Sequence, residues 1–200
     1  MFAYCLNNPV MYVDPTGHEA ANALLNHIIG IVFSDFIDAF TVKYDVPLYD
    51  QGGLKLCWAY CQVMVEDFQK GVVKTKTQAD RRAKEIAEKR NGKDNWNSGG
   101  SPTNLGERLV VFENTDSILG IISLYVYLKT FGPLYAFYHE SENQPGHAVI
   151  VTGVDIFTNR VYTNNPWGIR GEQTYEEFLT GFASENGQYK MSLHSLYRFK

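Results

Sequence analysis

The chain lacks the features that would mark a disulfide scaffold, a nucleic-acid binder or a membrane span. Only three of its 200 residues are cysteine, Cys5, Cys57 and Cys61. That is an odd number, and too few for the disulfide framework of a small secreted domain; it fits a reducing working compartment or a free reactive thiol. Charge of one sign is not in excess either. Eighteen Lys and Arg stand against 22 Asp and Glu, for a formal net charge of -4, too balanced for an electrostatic grip on nucleic acid or acidic lipid. The one basic stretch, Lys70 to Lys93, is interleaved with Asp80, Glu85 and Glu88 and reads as a solvated helix face. Long apolar runs are missing: Ile28 to Phe33 is hemmed in by Asn26, His27 and Asp35, far short of a membrane span. Met1 to Gly17 has no basic start, apolar stretch or small-residue cleavage site, so it is not expected to be a signal peptide, and any export is expected to use another route. No second ligand pair at zinc-site spacing accompanies the cysteines, and neither metal nor cofactor is expected.

What is present is the makeup of one globular core with an appendage: 44% hydrophobic, 14% aromatic and 20% charged. The 13 Tyr and 12 Phe are scattered at core spacing, so they imply no platform for stacking bases. From Glu19 to Phe40, apolar Leu24, Leu25, Ile28, Ile31, Val32 and Phe36 recur at helical spacing and predict an amphipathic helix. Tyr44 to Gly53 reads as extended chain or loop. A second helix is expected from Cys57 to Lys70, and a third from a Thr77/Asp80 capping box to Arg90, where Asn91-Gly92 stops it. A polar, Gly-rich loop follows to Asn104. A fourth helix, Asp116 to Thr130, must end before Gly132-Pro133. The period then changes. Leu134 to Tyr138, His147 to Val154, Val161 to Thr163 and Leu193 to Phe199 read as strands, with a short helix, Tyr175 to Phe182, behind a Thr174/Glu177 box. Helices first and sheet second is an α+β order.

The opening segment, Tyr4-Cys5-Leu6-Asn7-Asn8-Pro9 with Val10 to Val13 and Asp14-Pro15-Thr16-Gly17, is on physical grounds a short strand between two turns. It closely resembles the segment that closes the core of Rhs or YD-repeat proteins, which runs Tyr-x-x-Asn-Asn-Pro, a short strand, then Asp-Pro-x-Gly. In that family the segment borders a large repeat shell and a variable C-terminal domain, which is often a toxin. The resemblance therefore implies a remnant of an Rhs core at residues 1 to 17, a linker helix at 18 to 43 and an effector domain at 44 to 200.

A thiol attacks carbonyl carbon well only as thiolate, and a helix N-terminus or a neighbouring imidazolium is what makes one near neutral pH. Cys57 opens a predicted helix. Upstream of it, Gln51-Gly52-Gly53 supplies a side-chain amide on a loop able to fold back, where a donor to an oxyanion would sit. Cys57-Trp58-Ala59-Tyr60 resembles the Cys-Trp-Ala-Phe/Tyr helix start of papain-like peptidases, and Gln51 lies at that family's spacing. Gly146-His147-Ala148-Val149 resembles the strand presenting their histidine, Asn165-Pro166-Trp167-Gly168 their Asn-Ser-Trp-Gly, and Gly132-Pro133-Leu134 their Gly-Pro-Val strand. The order along the chain agrees.

This resemblance implies a papain-like fold, with N-terminal helices carrying the Cys and a C-terminal antiparallel sheet carrying His and Asn. It implies Cys57 as nucleophile, His147 as its base, Asn165 as the residue orienting the imidazole, Gln51 as oxyanion donor, and Trp58 and Trp167 in support. The sequence departs from the family pattern where Leu54, Lys55 and Leu56 replace Cys, Gly and Ser, where Pro166 replaces Ser, and in the short span from Cys57 to His147. An Asn-Pro here is similar to compact bacterial relatives that cleave leader peptides, so the branch is open.

Rivals exist for several positions. Cys61, one helical turn past Cys57, reads as a small buried hydrophobe. His139 follows a strand in a polar loop; His18, His27 and His194 have no partner pattern; Asn164 and Asp155 compete with Asn165 for the orienting role. Three functions stay open: a thiol endopeptidase at the tip of an Rhs-type secreted effector, a glutamine deamidase or acyl transferase using the same residues, and a non-catalytic binding appendage. The first implies a protein or peptide substrate, a cognate immunity protein, an Rhs shell around the full-length chain, and action in the reducing cytosol of a target cell.

Overall fold

A computed structural model describes residues 39–110, 117–139, 146–181 and 191–200. The chain divides into two compact units, residues 1–40 and 41–200. The helix expected over Glu19 to Phe40, the remnant at 1 to 17, Cys5, His18 and His27 fall almost wholly outside the described residues.

Helix α1 (Cys57–Lys70) is the central helix of the unit. Trp58 to Val65 and Asp67 are buried with hardly an outward face, as a helix enclosed by core must be. Helix α2 (Lys76–Asn91) packs on it through Ala79, Ala83, Ile86 and Ala87, one stripe at helical spacing. Its capping box is Thr75 with Gln78, two residues ahead of the Thr77/Asp80 box predicted. The reason lies across the helix pair: Asp80 is engaged by the Tyr60 hydroxyl at 2.5 Å and Lys76 at 2.6 Å, and is not available to the backbone at the helix start. A 3-10 turn (Lys93–Asn95) lies in the loop that follows.

The rest is an antiparallel sheet crossed by two further helices. The strands are β1 (Thr41–Lys43), β2 (Leu105–Leu109), β3 (Leu134–His139), β4 (His147–Asp155), β5 (Arg160–Asn165), β6 (Ile169–Thr174) and β7 (Ser192–Phe199). They lie in the order β2-β7-β3-β4-β5-β6, with β1 on β4. Strand β4 is buried along its whole length. One edge of it is shared, β3 covering His147 to Val151 and β1 covering Gly153 to Asp155.

Side chains alternate across this sheet. Ala148, Ile150, Tyr135 and Phe137 join the core under α1 and α2; Val149, Val151, Leu134 and Ala136 join a second core with α3 (Ser117–Phe131) and α4 (Tyr175–Thr180). The sheet is thus covered on both faces, and the α+β, papain-like arrangement of helices followed by antiparallel sheet is present, with Cys57 on a helix and His147 on the sheet.

Three strands went unpredicted. β2 and β6 are the two ends of the strand order, and β6, Ile-Arg-Gly-Glu-Gln-Thr, has no buried residue. An edge strand is held by its neighbour's backbone and need not alternate apolar with polar, so it leaves little periodic signal. β1 is only three residues and sits where the sequence predicted the end of a linker helix; its Val42 is buried against β4. Helix α4 stops at Thr180, short of the Phe182 predicted, because Gly181 takes φ 72° and ψ -155°, a conformation outside the helix that is nearly confined to glycine. No described helix is long and apolar enough to cross a membrane.

Candidate active site

Cys57 is the first residue of α1. Leu56 precedes it as N-cap and offers no side-chain acceptor, so the first-turn N–H groups are not taken by a capping side chain. Burial pushes the Cys57 thiol up, and the backbone N–H groups of Ala148, Trp58 and Cys57 itself work against that by less, favouring the thiolate. Cys57 is partly exposed, whereas Cys61 is buried and its thiol is pushed well above its ordinary value, by burial first and by Cys57 second. The two thiols are therefore distinct in access as well as in polarity. Ala148 is a contributor that no residue-type argument finds, because its part is played by a backbone N–H.

His147 opens β4, one residue before that N–H. Its Nε2 lies 2.8 Å from Asn165 Oδ1, at the end of β5. The same oxygen accepts the Trp167 backbone N–H at 3.0 Å. An oxygen held by a backbone donor must be an acceptor toward the ring too, so neutral His147 carries its proton on Nε2 and has Nδ1 as its basic nitrogen. Trp167 stacks on the imidazole, centroids 4.1 Å apart and planes 26° from parallel. Burial holds the imidazole down at about 4, and the Asn165 hydrogen bond works against that, raising it by less.

Gln51 ends an extended segment, Tyr44 to Gln51, that runs beside β4 and β5. Its backbone N–H donates to Pro166 O at 2.7 Å, and Asp50 bridges Trp167. The side chain is buried, with Oε1 lacking any partner. A buried amide oxygen without a donor is costly, and a donor from a bound peptide would relieve it. Gln51, Cys57, Trp58, His147 and Trp167 all line one cavity of about 380 Å³, walled otherwise by Leu54, Gly99, Gly100, Phe137 and Met191. The wall at Gly99 and Gly100 is built by Trp58, whose Nε1 donates to Ser98 O at 3.1 Å, and by Lys55 N donating to Asn97 Oδ1 at 2.8 Å. Its loop read in sequence only as polar and Gly-rich.

The rivals are placed elsewhere. His139 ends β3 and packs on His194 of β7, ring centroids 4.0 Å apart. Asp155 is at the opposite end of β4 from His147, accepting Thr158 N–H in the turn to β5. Asn164 faces away from Asn165 and donates to Val46 O and Pro47 O.

Gly146 is required ahead of His147 by a close approach. A Cβ there would stand 2.2 Å from Phe137 Cζ and 2.8 Å from Tyr138 O. Gly146→Ala is expected to destabilise the fold by about 1–3 kcal/mol, the usual cost of overpacking, and to slow turnover by shifting the start of β4. Thermal unfolding measures the first effect. An unchanged melt would mean that Phe137 and the Tyr138 carbonyl both give way.

A thiol at a helix start, an imidazole opening a sheet strand and an amide below it define a thiol hydrolase of the papain-like class. The chain belongs to the family described as papain-like cysteine protease AvrRpt2, whose model matches residues 40–185, and it is accordingly a cysteine peptidase acting on protein. A search of curated proteins finds no match.

Proposed function

We propose that the protein is a cysteine endopeptidase in which Cys57 is the nucleophile, His147 the general base and acid, Asn165 the orienting residue and Gln51 the oxyanion donor. The observation that carries this reading is the 2.8 Å contact of His147 Nε2 with an Asn165 oxygen whose direction Trp167 N–H sets, on the wall of the cavity that Cys57 and Gln51 share. Burial disfavours an imidazolium or a thiolate formed alone. Moving one proton from Sγ to Nδ1 creates both at once, and their attraction offsets part of each penalty. The thiolate then adds to the scissile carbonyl, and the oxyanion is met by Gln51 Nε2 and the Cys57 backbone N–H. His147 returns the proton to the leaving amine, and water, activated by the same nitrogen, releases the acyl group. Trp58 supports the opposite wall.

We place this peptidase at the tip of an Rhs-type polymorphic toxin, delivered into a target cell and acting in its reducing cytosol, with an immunity protein protecting the producer. What supports that context is the sequence from Tyr4 to Gly17, which lies outside the described residues, together with the free thiols. The test is to incubate the protein with a target-cell proteome and sequence newly formed N-termini, with Cys57→Ala as the blank. New N-termini dependent on Cys57 are expected. Glutamine converted to glutamate without new termini would replace the endopeptidase by a deamidase, and no mark of either kind would remove the catalytic reading.

A further inference from the structure

The segment that carries Gln51 has little secondary structure of its own. Between Tyr44 N, which donates to Thr152 O at 2.8 Å, and Gln51 N, which donates to Pro166 O at 2.7 Å, the described backbone bonds hold only its two ends. Pro47, in its middle, has no N–H to offer a ladder. The carbonyls of Val46 and Pro47 are instead met by one buried side chain, Asn164 Nδ2, at 2.8 and 3.3 Å. Asn164 is 2% exposed. It is the neighbour of Asn165 on β5, and side chains alternate along a strand, so the pair points to opposite sides: Asn165 to His147, Asn164 to the segment ending in Gln51.

We propose that Asn164 is a positioning residue for the oxyanion donor, holding the Val46–Pro47 backbone so that Gln51 stands at a set place relative to Cys57 and His147. The end of β5 then registers two parts of the site against each other. One asparagine sets the imidazole and the next sets the chain that brings the amide. A donor to an oxyanion is effective only over a few tenths of an ångström, and Gln51 has no side-chain hydrogen bond on Oε1 to hold it, so its placement depends on its backbone. This inference rests on the role proposed for Gln51.

The test separates stabilisation of an oxyanion from reactivity of the thiol. A peptide aldehyde adds to Cys57 Sγ to give a hemithioacetal whose oxygen needs the donor, whereas iodoacetamide alkylates the same sulfur by displacing iodide and makes no oxyanion. The variants are Asn164→Asp, which keeps the shape but when ionised presents acceptors to two carbonyls, and Asn164→Ser, which is too short to reach them. Each should bind the aldehyde at least about tenfold more weakly than the parent, the loss of one buried hydrogen bond's effect, with kcat falling and KM little changed. Alkylation of Cys57 should keep the parent rate. Gln51→Ala is run beside them. If Gln51→Ala leaves aldehyde affinity intact, the role given to Gln51 fails. If Gln51→Ala weakens the aldehyde and neither Asn164 variant does, the positioning role alone fails. It fails equally if aldehyde binding and alkylation decline together, or if neither variant folds, since Asn164 would then serve the fold at large.

Discussion

Cys57→Ala should reduce cleavage of protein substrate by at least about 10⁴-fold, the scale on which nucleophile removal acts in thiol and serine hydrolases. The fold should persist, because the sulfur lost is partly exposed and α1 begins without help from it. Cys61→Ala should do the reverse. That sulfur is in the core between α1 and the sheet, so its loss should cost about 1 kcal/mol of stability by opening a small void and leave turnover close to the parent's. Iodoacetamide near neutral pH supplies an independent reading. Both described thiols are pushed up, but of the two only that of Cys57 has backbone N–H groups favouring its charge and an opening to solvent. Labelling read on the residue-57 peptide, with Cys5 scored apart, should disappear in Cys57→Ala and survive in Cys61→Ala; an inactive Cys61→Ala enzyme with a labelled, dispensable Cys57 would overturn the assignment.

The second large effect is on stability against pH, and it is cleanest in the Cys57→Ala background, where no thiolate can share the proton. His147 is held at about 4 in the fold against an ordinary 6.5. Between those values the unfolded chain binds a proton that the folded chain refuses. A depressed value contributes stability that is complete above about 6.5 and is lost as pH falls toward 4. The span is equivalent to about 3 kcal/mol at 1.36 kcal/mol per unit. Denaturant unfolding of Cys57→Ala at pH 7 and at pH 4.5 should show most of that loss, and a second variant with His147→Gln added should not. Parallel slopes in the two would mean that His147 is solvated in the folded chain, contrary to its burial under Trp167.

The family of the protein was legible because its chemistry is written in short runs. Cys57-Trp58-Ala59-Tyr60, Gly146-His147-Ala148 and Asn165-Pro166-Trp167-Gly168 each sit on one local element, and the residue types carry the meaning. Helix α1 was legible for a related reason, as its bounds, Cys57–Lys70, follow from a mostly apolar stretch, Cys57 to Phe68, ended by basic Lys70 and Gly71. The Thr174/Glu177 box was legible because capping is decided within four residues. The box at Thr75 was not, since two overlapping Thr-led boxes compete and the choice falls to Tyr60, which holds Asp80 from another helix.

What only the tertiary structure decided is which distant residues meet. Asn164 and Asn165 are the same amino acid at adjacent positions, and apart from the Trp167-Gly168 that follows, which marks Asn165 by resemblance, no local property says what either one meets. The register of β5 against β4 sends one under the imidazole and the other to the Val46–Pro47 backbone. The Ala148 N–H beside Cys57, the unpaired oxygen of Gln51 and the lowered basicity of His147 are likewise products of burial and long-range pairing. The sequence by itself determined the reactive groups, their order along the chain and the helix that begins at the thiol, because those depend on residue type and local period. Their mutual distance, proton affinity and partners depend on packing between segments tens of residues apart, and a one-dimensional pattern holds no record of it.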